Sequence, residues 1–323
     1  MLFPVSGVEV SPLIPPLVAF AVSFFTSMGG VSGAFLLLPF QVSVLGFTSP
    51  AVSATNQLYN IVAIPSGVAR YIREGRMVWP LTWVVIAGTL PGVLIGAMVR
   101  VRYLPDPTAF KVFAGAVLLY IGVRMVREVL GGGLRLANAK AAEGRFEELV
   151  RRRRQQVAPD EQTPAPGVVV RRFTLRRITY EFHGEVFEIS TWGIFALSSV
   201  VGIVGGIYGI GGGAIIAPFF VAFFGLPVYT VAGAALMGTF ITSVAGVSFY
   251  QAIAPFYPDM TVAPDWMLGI LFGVGGAAGM YCGARLQKHV PARFIKWMLV
   301  FVILIVAGKY LLGIGQLLSG SAR

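Results

Sequence analysis

The chain has 323 residues, of which 56% are hydrophobic and 12% are charged, with a formal net charge of +11. A soluble protein of this length would carry more charge and shorter apolar runs, so we expect a multi-pass integral membrane protein. The positive charge does not indicate a nucleic-acid partner, because 11 of the 25 Lys and Arg residues lie within residues 131–190 beside 8 of the 14 Asp and Glu residues. The other basic residues lie mostly at predicted helix ends, where positive charge marks cytoplasmic loops.

Residues 1–130 are predicted to form an N-terminal membrane repeat. The first apolar segment, Leu13–Met28, ends at a glycine-rich break and is followed by the short segment Ala34–Leu45. Both are shorter than the roughly 20 residues that cross a bilayer, so they indicate a broken or re-entrant helix pair. Three longer segments are predicted to span the membrane: Ser49–Arg70, Trp79–Val99 and Thr108–Val129.

Residues 131–190 are predicted to form a hydrophilic cytoplasmic linker. Residues 136–150 have helix-forming composition, and a run of four arginines follows at 151–154. The stretch 173–189 alternates between apolar and polar residues, which is typical of a strand pair. It predicts a small β-hairpin in which Tyr180 and Phe182 face Phe187 and Ile189.

Residues 191–323 repeat the N-terminal membrane segments. An offset of 179 residues pairs Gly30 with Gly209 and Pro39 with Pro218, and an offset of 187 pairs Trp79 with Trp266. Each half contains a glycine-broken pair and three spans, an odd number of crossings, so the halves are predicted to be inverted-topology repeats. We therefore expect an all-α fold in the cell membrane, with the N-terminus outside, the linker cytoplasmic and the C-terminus outside. Three basic residues fall on the outer side of this topology: Arg100, Arg102 and Lys111.

Two sets of evenly spaced glycines indicate close helix packing. They lie on one face of a predicted helix in each half: Gly88, Gly92 and Gly96, and Gly275, Gly279 and Gly283. Small residues at this spacing allow helices to approach closely in lipid, either within the chain or in a homodimer.

Enzyme and cofactor sites are not expected. The glycines at 209 and 211 fit the dinucleotide-binding pattern, but that motif requires a preceding strand and a following acidic residue, which this membrane segment lacks. His183 and His289 have no partners at the spacing of metal ligands. The apolar segments contain no nucleophile and base, so we expect neither catalysis, nor a metal, nor a cofactor.

The paired glycine breaks are the predicted binding site. Helix N-termini beside such breaks present backbone N–H groups and partial positive charge, which suit a small anion. Polar side chains on the following segments either line a cavity between the breaks or tie helices together by hydrogen bonds. The candidate substrate-binding residues are Gly30, Ser32, Gly33, Asn56, Gln57, Asn60, Gly211, Gly212, Gly213, Thr239 and Thr242.

The two apolar halves, the hydrophilic linker and the motif Gly209-Ile-Gly-Gly-Gly-Ala-Ile-Ile-Ala-Pro218 resemble the TauE/SafE family of sulfite and organosulfonate exporters. The first-half motif departs from this form, with Ser32 opposite Gly211 and Ala34 opposite Gly213. The resemblance implies a secondary transporter that exports sulfite or an organosulfonate such as sulfoacetate by alternating access. Two alternatives remain: an importer or a carrier of another small anion, and a membrane sensor or scaffold that acts through residues 131–190.

Overall fold

The computed structural model describes residues 1–28, 32–73, 75, 77–130, 168–182, 185–213, 215–286 and 292–320. Gly30, His183, His289 and the predicted helix at 136–150 lie outside these ranges. The first half contains six helices among its described residues: α1 (Ile14–Met28), α2 (Ala34–Ser43), α3 (Ala51–Ala63), α4 (Pro65–Arg73), α5 (Trp79–Arg102) and α6 (Pro107–Leu130). The second half contains five: α7 (Thr191–Tyr208), α8 (Ile216–Phe224), α9 (Val228–Ile253), α10 (Trp266–Leu286) and α11 (Ala292–Gly320).

Within the described ranges, five helical stretches are long and apolar enough to cross a membrane. They are Trp79–Arg102, Pro107–Arg127, Thr191–Tyr208, Thr230–Phe256 and Trp266–Gly283. These stretches confirm the prediction of a multi-pass membrane protein. Apolar helices too short to count by this measure include Ile14–Ser27 and Ala34–Ser43, which are the two members of the predicted broken pair.

The predicted span Ser49–Arg70 is wrong in detail, because it consists of two helices. α3 ends at Ala63 and α4 begins at Pro65. Proline has no backbone N–H to donate and its ring crowds the preceding turn, so the helix is interrupted there. The predicted span Trp79–Val99 is also too short, since α5 continues to Arg102 and includes Arg100.

The linker contributes a three-stranded antiparallel sheet: β3 (Val169–Phe173), β4 (Arg177–Phe182) and β5 (Glu185–Ser190), in that order. It confirms the predicted hairpin and adds a third strand. Tyr180 lies opposite Phe187 as expected, but Ile189 pairs with Ile178 and not with Phe182. The buried face of β4 packs into the same hydrophobic core as the membrane helices.

A hydrogen bond joins this sheet to a membrane helix. The hydroxyls of Tyr180 and Thr230, the latter in α9, lie 2.9 Å apart in a buried position. Burial raises the pKa of the Tyr180 hydroxyl, so it stays protonated and able to donate. The Val168 N–H also donates to the Gly75 carbonyl between α4 and α5. The described part of the linker is therefore docked on the helix ends.

A second small hairpin, which the sequence analysis did not predict, lies at the N-terminus. Its strands, β1 (Leu2–Phe3) and β2 (Val8–Glu9), contain two residues each. The Asp265 carboxylate accepts hydrogen bonds from the N–H and hydroxyl of Ser6 and from the Leu268 N–H in the first turn of α10. The hairpin is thus anchored to the start of α10.

Two helices of the first half each pair with a helix of the second half, and these two pairs are called the exchanged helix pairs. α5 packs along α7, and α1 packs along α10. Both contacts use the predicted glycine faces: a Cβ on Gly92 would lie 2.6 Å from the Ser199 carbonyl oxygen, and one on Gly279 would overlap the Phe20 carbonyl oxygen. These faces are therefore occupied within the chain and do not support the homodimer, which stays a prediction.

Candidate functional site

The second-half break is a tight turn built from glycines in the left-handed region. α7 ends at Tyr208, and Gly209 has φ +81° while its N–H donates to the Gly205 carbonyl. Gly211 has φ +74°. A Cβ at Gly213 would overlap the Ala235 carbonyl oxygen of α9. Glycine is required here both for backbone conformation and for the close approach of two chain segments.

The first-half break has different chemistry at the equivalent place. The Ser32 hydroxyl accepts a hydrogen bond from the Ala34 N–H and donates to Asn60 Oδ1, both at 3.3 Å. The Gly33 carbonyl accepts from two amides in the first turn of α2, those of Leu36 and Leu37. A serine side chain thus takes part in the hydrogen bonds of this break, whereas Gly211 supplies only backbone on the other side.

Asn56 of α3 connects the two breaks directly. Its Nδ2 donates to the Ala34 carbonyl, at the start of α2, and to the Gly209 carbonyl, at the end of α7, both at 3.0 Å. Its Oδ1 accepts from Gln41 Nε2 at 3.2 Å. The Asn56 side chain has no exposed surface. One buried amide therefore satisfies a carbonyl from each break.

Asn60, one helical turn further along α3, repeats this arrangement. Its Nδ2 donates to the Ile210 carbonyl at 3.0 Å, and its Oδ1 accepts from Ser32. It also approaches Ser243 Oγ of α9 at 3.5 Å. The predicted stripe of asparagines thus lies between the two breaks and contacts both.

The predicted threonines of α9 close the other side of the second break. The Gly212 N–H donates to Thr242 Oγ1 at 3.3 Å. Thr239 packs against Gly211 and Gly213 so closely that neither glycine has room for a side chain. The Thr239 hydroxyl itself donates to the Ala235 carbonyl one turn earlier. Both hydroxyls already donate a hydrogen bond to a backbone carbonyl one turn earlier, so they can only accept further hydrogen bonds.

The structure therefore brings the described candidate residues together around the two breaks, and Gln57 lies next to Asn56 on α3, against Gly246 of α9. In this conformation Asn56 and Asn60 tie helices together, which was the alternative interpretation of the polar stripe. A small anion would bind here by taking over N–H donors that now serve backbone carbonyls. Among the described residues, no three His, Cys, Asp or Glu side chains come close enough to hold a metal ion.

Gln57 is the exception, since neither of its amide atoms has a hydrogen-bond partner in the described part of the chain. Its side chain is fully buried against Gly246 of α9, where a Cβ would overlap Oε1. Gln41 Oε1 is also buried and unpartnered. A buried polar atom without a partner costs about 1–3 kcal/mol, so such atoms call for an explanation by function or by bound water.

Two further residues of this region, Gln41 and Tyr208, were not predicted from the sequence. Gln41 is the single strongly polar side chain in α2 (AFLLLPFQVS), and that isolation was a usable signal. The Tyr208 hydroxyl donates to the Phe35 carbonyl at 2.8 Å and so links α7 to α2. A tyrosine in an apolar segment gives no such indication, because it packs equally well in a core.

Replacing Gln57 by methionine is expected to keep or raise stability and to lower transport. Methionine has similar length without the amide, so the change removes an unsatisfied buried group that costs about 1–3 kcal/mol. Thermal unfolding of the purified protein and transport per folded molecule are the two measurements. Gln41→Met is the matched control and should destabilise, because its Nε2 donates to Asn56. Unchanged transport in Gln57→Met would exclude Gln57 from the site.

Comparison with known protein families gives a match over most of the chain. The family model described as Sulfite exporter TauE/SafE matches residues 16–310 and thus both membrane halves, the linker and every described residue of the candidate site. No curated protein and no solved structure matches the chain.

Proposed function

The chain belongs to the TauE/SafE family of sulfite exporters, and on that premise we propose that it exports sulfite or an organosulfonate such as sulfoacetate by alternating access. The family is one of membrane transporters of sulfur anions, and the apolar helices suit such a protein. The observation that supports the proposed mechanism is the bridge that Asn56 makes between the two breaks. The proposed substrate-binding residues are those around this bridge, with Gln57 as a further donor.

The bridge links substrate binding to helix movement. In the structure the amides of Asn56 and Asn60 donate to the Ala34, Gly209 and Ile210 carbonyls and so hold the two breaks together. A sulfur oxyanion offers several charged acceptor oxygens, and hydrogen bonds to a charged acceptor are roughly twice as strong as those to a neutral one. The anion takes these donors from the carbonyls, which releases one break from the other. Binding energy thereby opens a path that the empty protein keeps closed.

The exchanged helix pairs support an inverted-repeat transport cycle. α1 with α10 and α5 with α7 each unite one helix from either half, as two related moving bodies would. Transporters of this design carry their substrate at the interface between repeats, beside broken helices. An inside-negative potential favours anion exit by about 2.3 kcal/mol per charge per 100 mV, so export requires no ATP.

Efflux from proteoliposomes tests the proposal. Vesicles loaded with sulfite should release it faster than protein-free vesicles, and an inside-negative potential should accelerate release. Sulfoacetate, thiosulfate and acetate in parallel vesicles test the range of substrates. Movement of acetate alone would favour the carrier of another anion, and no movement of any sulfur oxyanion would refute the proposal.

A second candidate function follows from the docked linker sheet. Contacts with the ends of membrane helices, such as that of Tyr180 with Thr230, could pass a signal from the linker into the membrane domain. Deletion of residues 135–165 leaves all three strands in place and tests this alternative. Loss of a cellular response with intact sulfite efflux would favour a sensor or scaffold, whereas loss of neither would exclude a role for residues 135–165 in signalling.

A further inference from the structure

Among the residues that the structure describes, Arg100 has no partner of opposite charge. It lies near the end of α5, and its side chain has no exposed surface. Among the described residues, the only other fully buried charged side chain is Asp265, which is occupied by Ser6 and Leu268. The described carboxylates make no ion pair with Arg100; their two ion pairs involve Arg171 and Arg177 of the sheet.

Neutral groups hold the guanidinium in place. Its two Nη atoms donate to the carbonyls of Leu104 and Thr48, the latter at 3.0 Å. The Cζ atom lies 3.9 Å from the centre of the Phe110 ring. The Nε–H has no acceptor in the described part of the protein. Position and orientation are thus fixed, while one donor is unused and no described carboxylate neutralises the positive charge.

A second unused donor lies beside this cation. The Tyr250 hydroxyl of α9 is buried and has no hydrogen-bond partner by distance and angle among the described residues, and Tyr250 packs in one cluster with Ala97 and Val101 of α5, close in sequence to Arg100. Removing an ion from water costs several kcal/mol, and such a charge inside a membrane protein commonly serves an ion or substrate pathway. If the Arg100 side chain served only to hold the Leu104 and Thr48 carbonyls, a neutral hydrogen-bond donor would be sufficient and no charge would be needed.

Tyr250 also leads toward the glycine breaks. It shares a buried cluster with Ala54 of α3 and lies near Ser53. The Ser53 hydroxyl in turn donates to the Ile207 carbonyl at 3.1 Å, just before the break at Gly209. A continuous set of side chains therefore runs from Arg100 to the candidate site, and the predicted topology puts Arg100 at its outer end.

We propose that Arg100 and Tyr250 form a second anion-binding site, which receives a small sulfur oxyanion between the glycine breaks and the outer surface. The Nε–H of Arg100 and the hydroxyl of Tyr250 donate to two of its oxygens, and the anion neutralises the guanidinium. The identity of the anion rests on the proposed function, but the uncompensated charge that creates the site does not.

The test is stabilisation of the purified full chain by sulfite at constant ionic strength, with sodium gluconate as the balancing salt. An Asn56→Ala background removes the donor that bridges the glycine breaks. In that background sulfite should still raise the unfolding temperature. Arg100→Gln should raise the sulfite concentration that gives half of this stabilisation at least about tenfold, since a charged hydrogen bond is lost. Tyr250→Phe should shift the same concentration by about threefold without changing unfolding in gluconate.

The outcomes separate this inference from the proposed function. A purely structural Arg100 would lower the unfolding temperature when replaced but leave the response to sulfite unchanged, which would overturn the inference. If Arg100→Gln does not fold, Tyr250→Phe decides, because it removes one hydroxyl and keeps the packing of the ring. Arg100-dependent stabilisation without sulfite efflux would support the site and refute the transport proposal. Sulfite efflux by the wild-type protein, together with wild-type stabilisation by sulfite in both the Arg100 and the Tyr250 variant, would support the transport proposal and refute the second site.

Discussion

Asn56→Ala is expected to reduce sulfite efflux per folded molecule at least about tenfold. The change leaves the carbonyls of Ala34 and Gly209 without their shared donor, and it removes a donor that the transported anion is proposed to use. Losing one charge-assisted hydrogen bond costs about 1.5–3 kcal/mol, which corresponds to a factor of about ten or more. Stability should fall as well, since two buried carbonyls each lose a hydrogen bond.

Thr55→Ala separates the two effects. Thr55 is equally buried on the same helix, and its hydroxyl accepts the Asp265 N–H at 2.9 Å, away from the breaks. This control should lower the unfolding temperature but leave efflux per folded molecule unchanged. Efflux is measured in proteoliposomes with the folded fraction determined by size-exclusion chromatography. Equal proportional losses of efflux in the two variants would mean that Asn56 acts only in packing.

Gly279→Leu is expected to abolish accumulation of folded protein. A Cβ at Gly279 would overlap the backbone carbonyl oxygen of Phe20 in α1, and backbone atoms cannot move aside as a flexible side chain does. Overpacking a core lowers the free energy of unfolding by about 1–3 kcal/mol. We expect a loss at or above the upper end of this range here, because the added side chain meets rigid backbone. The pairing of α1 with α10 would be forced apart along its length.

Gly308→Leu is the matched control for this substitution. Gly308 lies in the apolar helix α11, and a Cβ there would have no atom within 4 Å. Both variants add the same hydrophobic side chain to a glycine in a membrane helix, so only the local packing differs. The measurement is the folded fraction of detergent-solubilised protein. Similar folded fractions for the two variants would show that the α1–α10 contact tolerates separation.

Local sequence patterns predicted much of this fold because they report local physics. Long apolar segments, glycine breaks and glycine faces each follow from helix length, backbone freedom and side-chain size. The stripe of Asn56 and Asn60 was predicted from helical periodicity. Their acceptors were not, because periodicity identifies the face of α3 but not the segment more than a hundred residues away that covers it.

The missed features depend on contacts distant in sequence. Arg100 was predicted in an outer loop, yet α5 continues past it and Phe110 covers its guanidinium. The strand β3 reads Val-Val-Arg-Arg-Phe and is exposed throughout, so it has no alternation to detect. The N-terminal strands contain two residues each, which is too short for any periodic signal.

The exchange of α1 and α5 for partners in the other half has a consequence for biosynthesis. A growing chain leaves the ribosome N-terminus first, so α1 and α5 enter the bilayer before α7 and α10 exist. Until then, the glycine face of α5 and the surface of α1 that α10 will cover are open to lipid. A truncated chain stays in that state, whereas a completed chain closes both surfaces with helices from its second half. The helix packing of this fold can therefore be completed only after the second half has been synthesised. Two halves made as separate polypeptides would have to associate in the membrane before either could bury these surfaces.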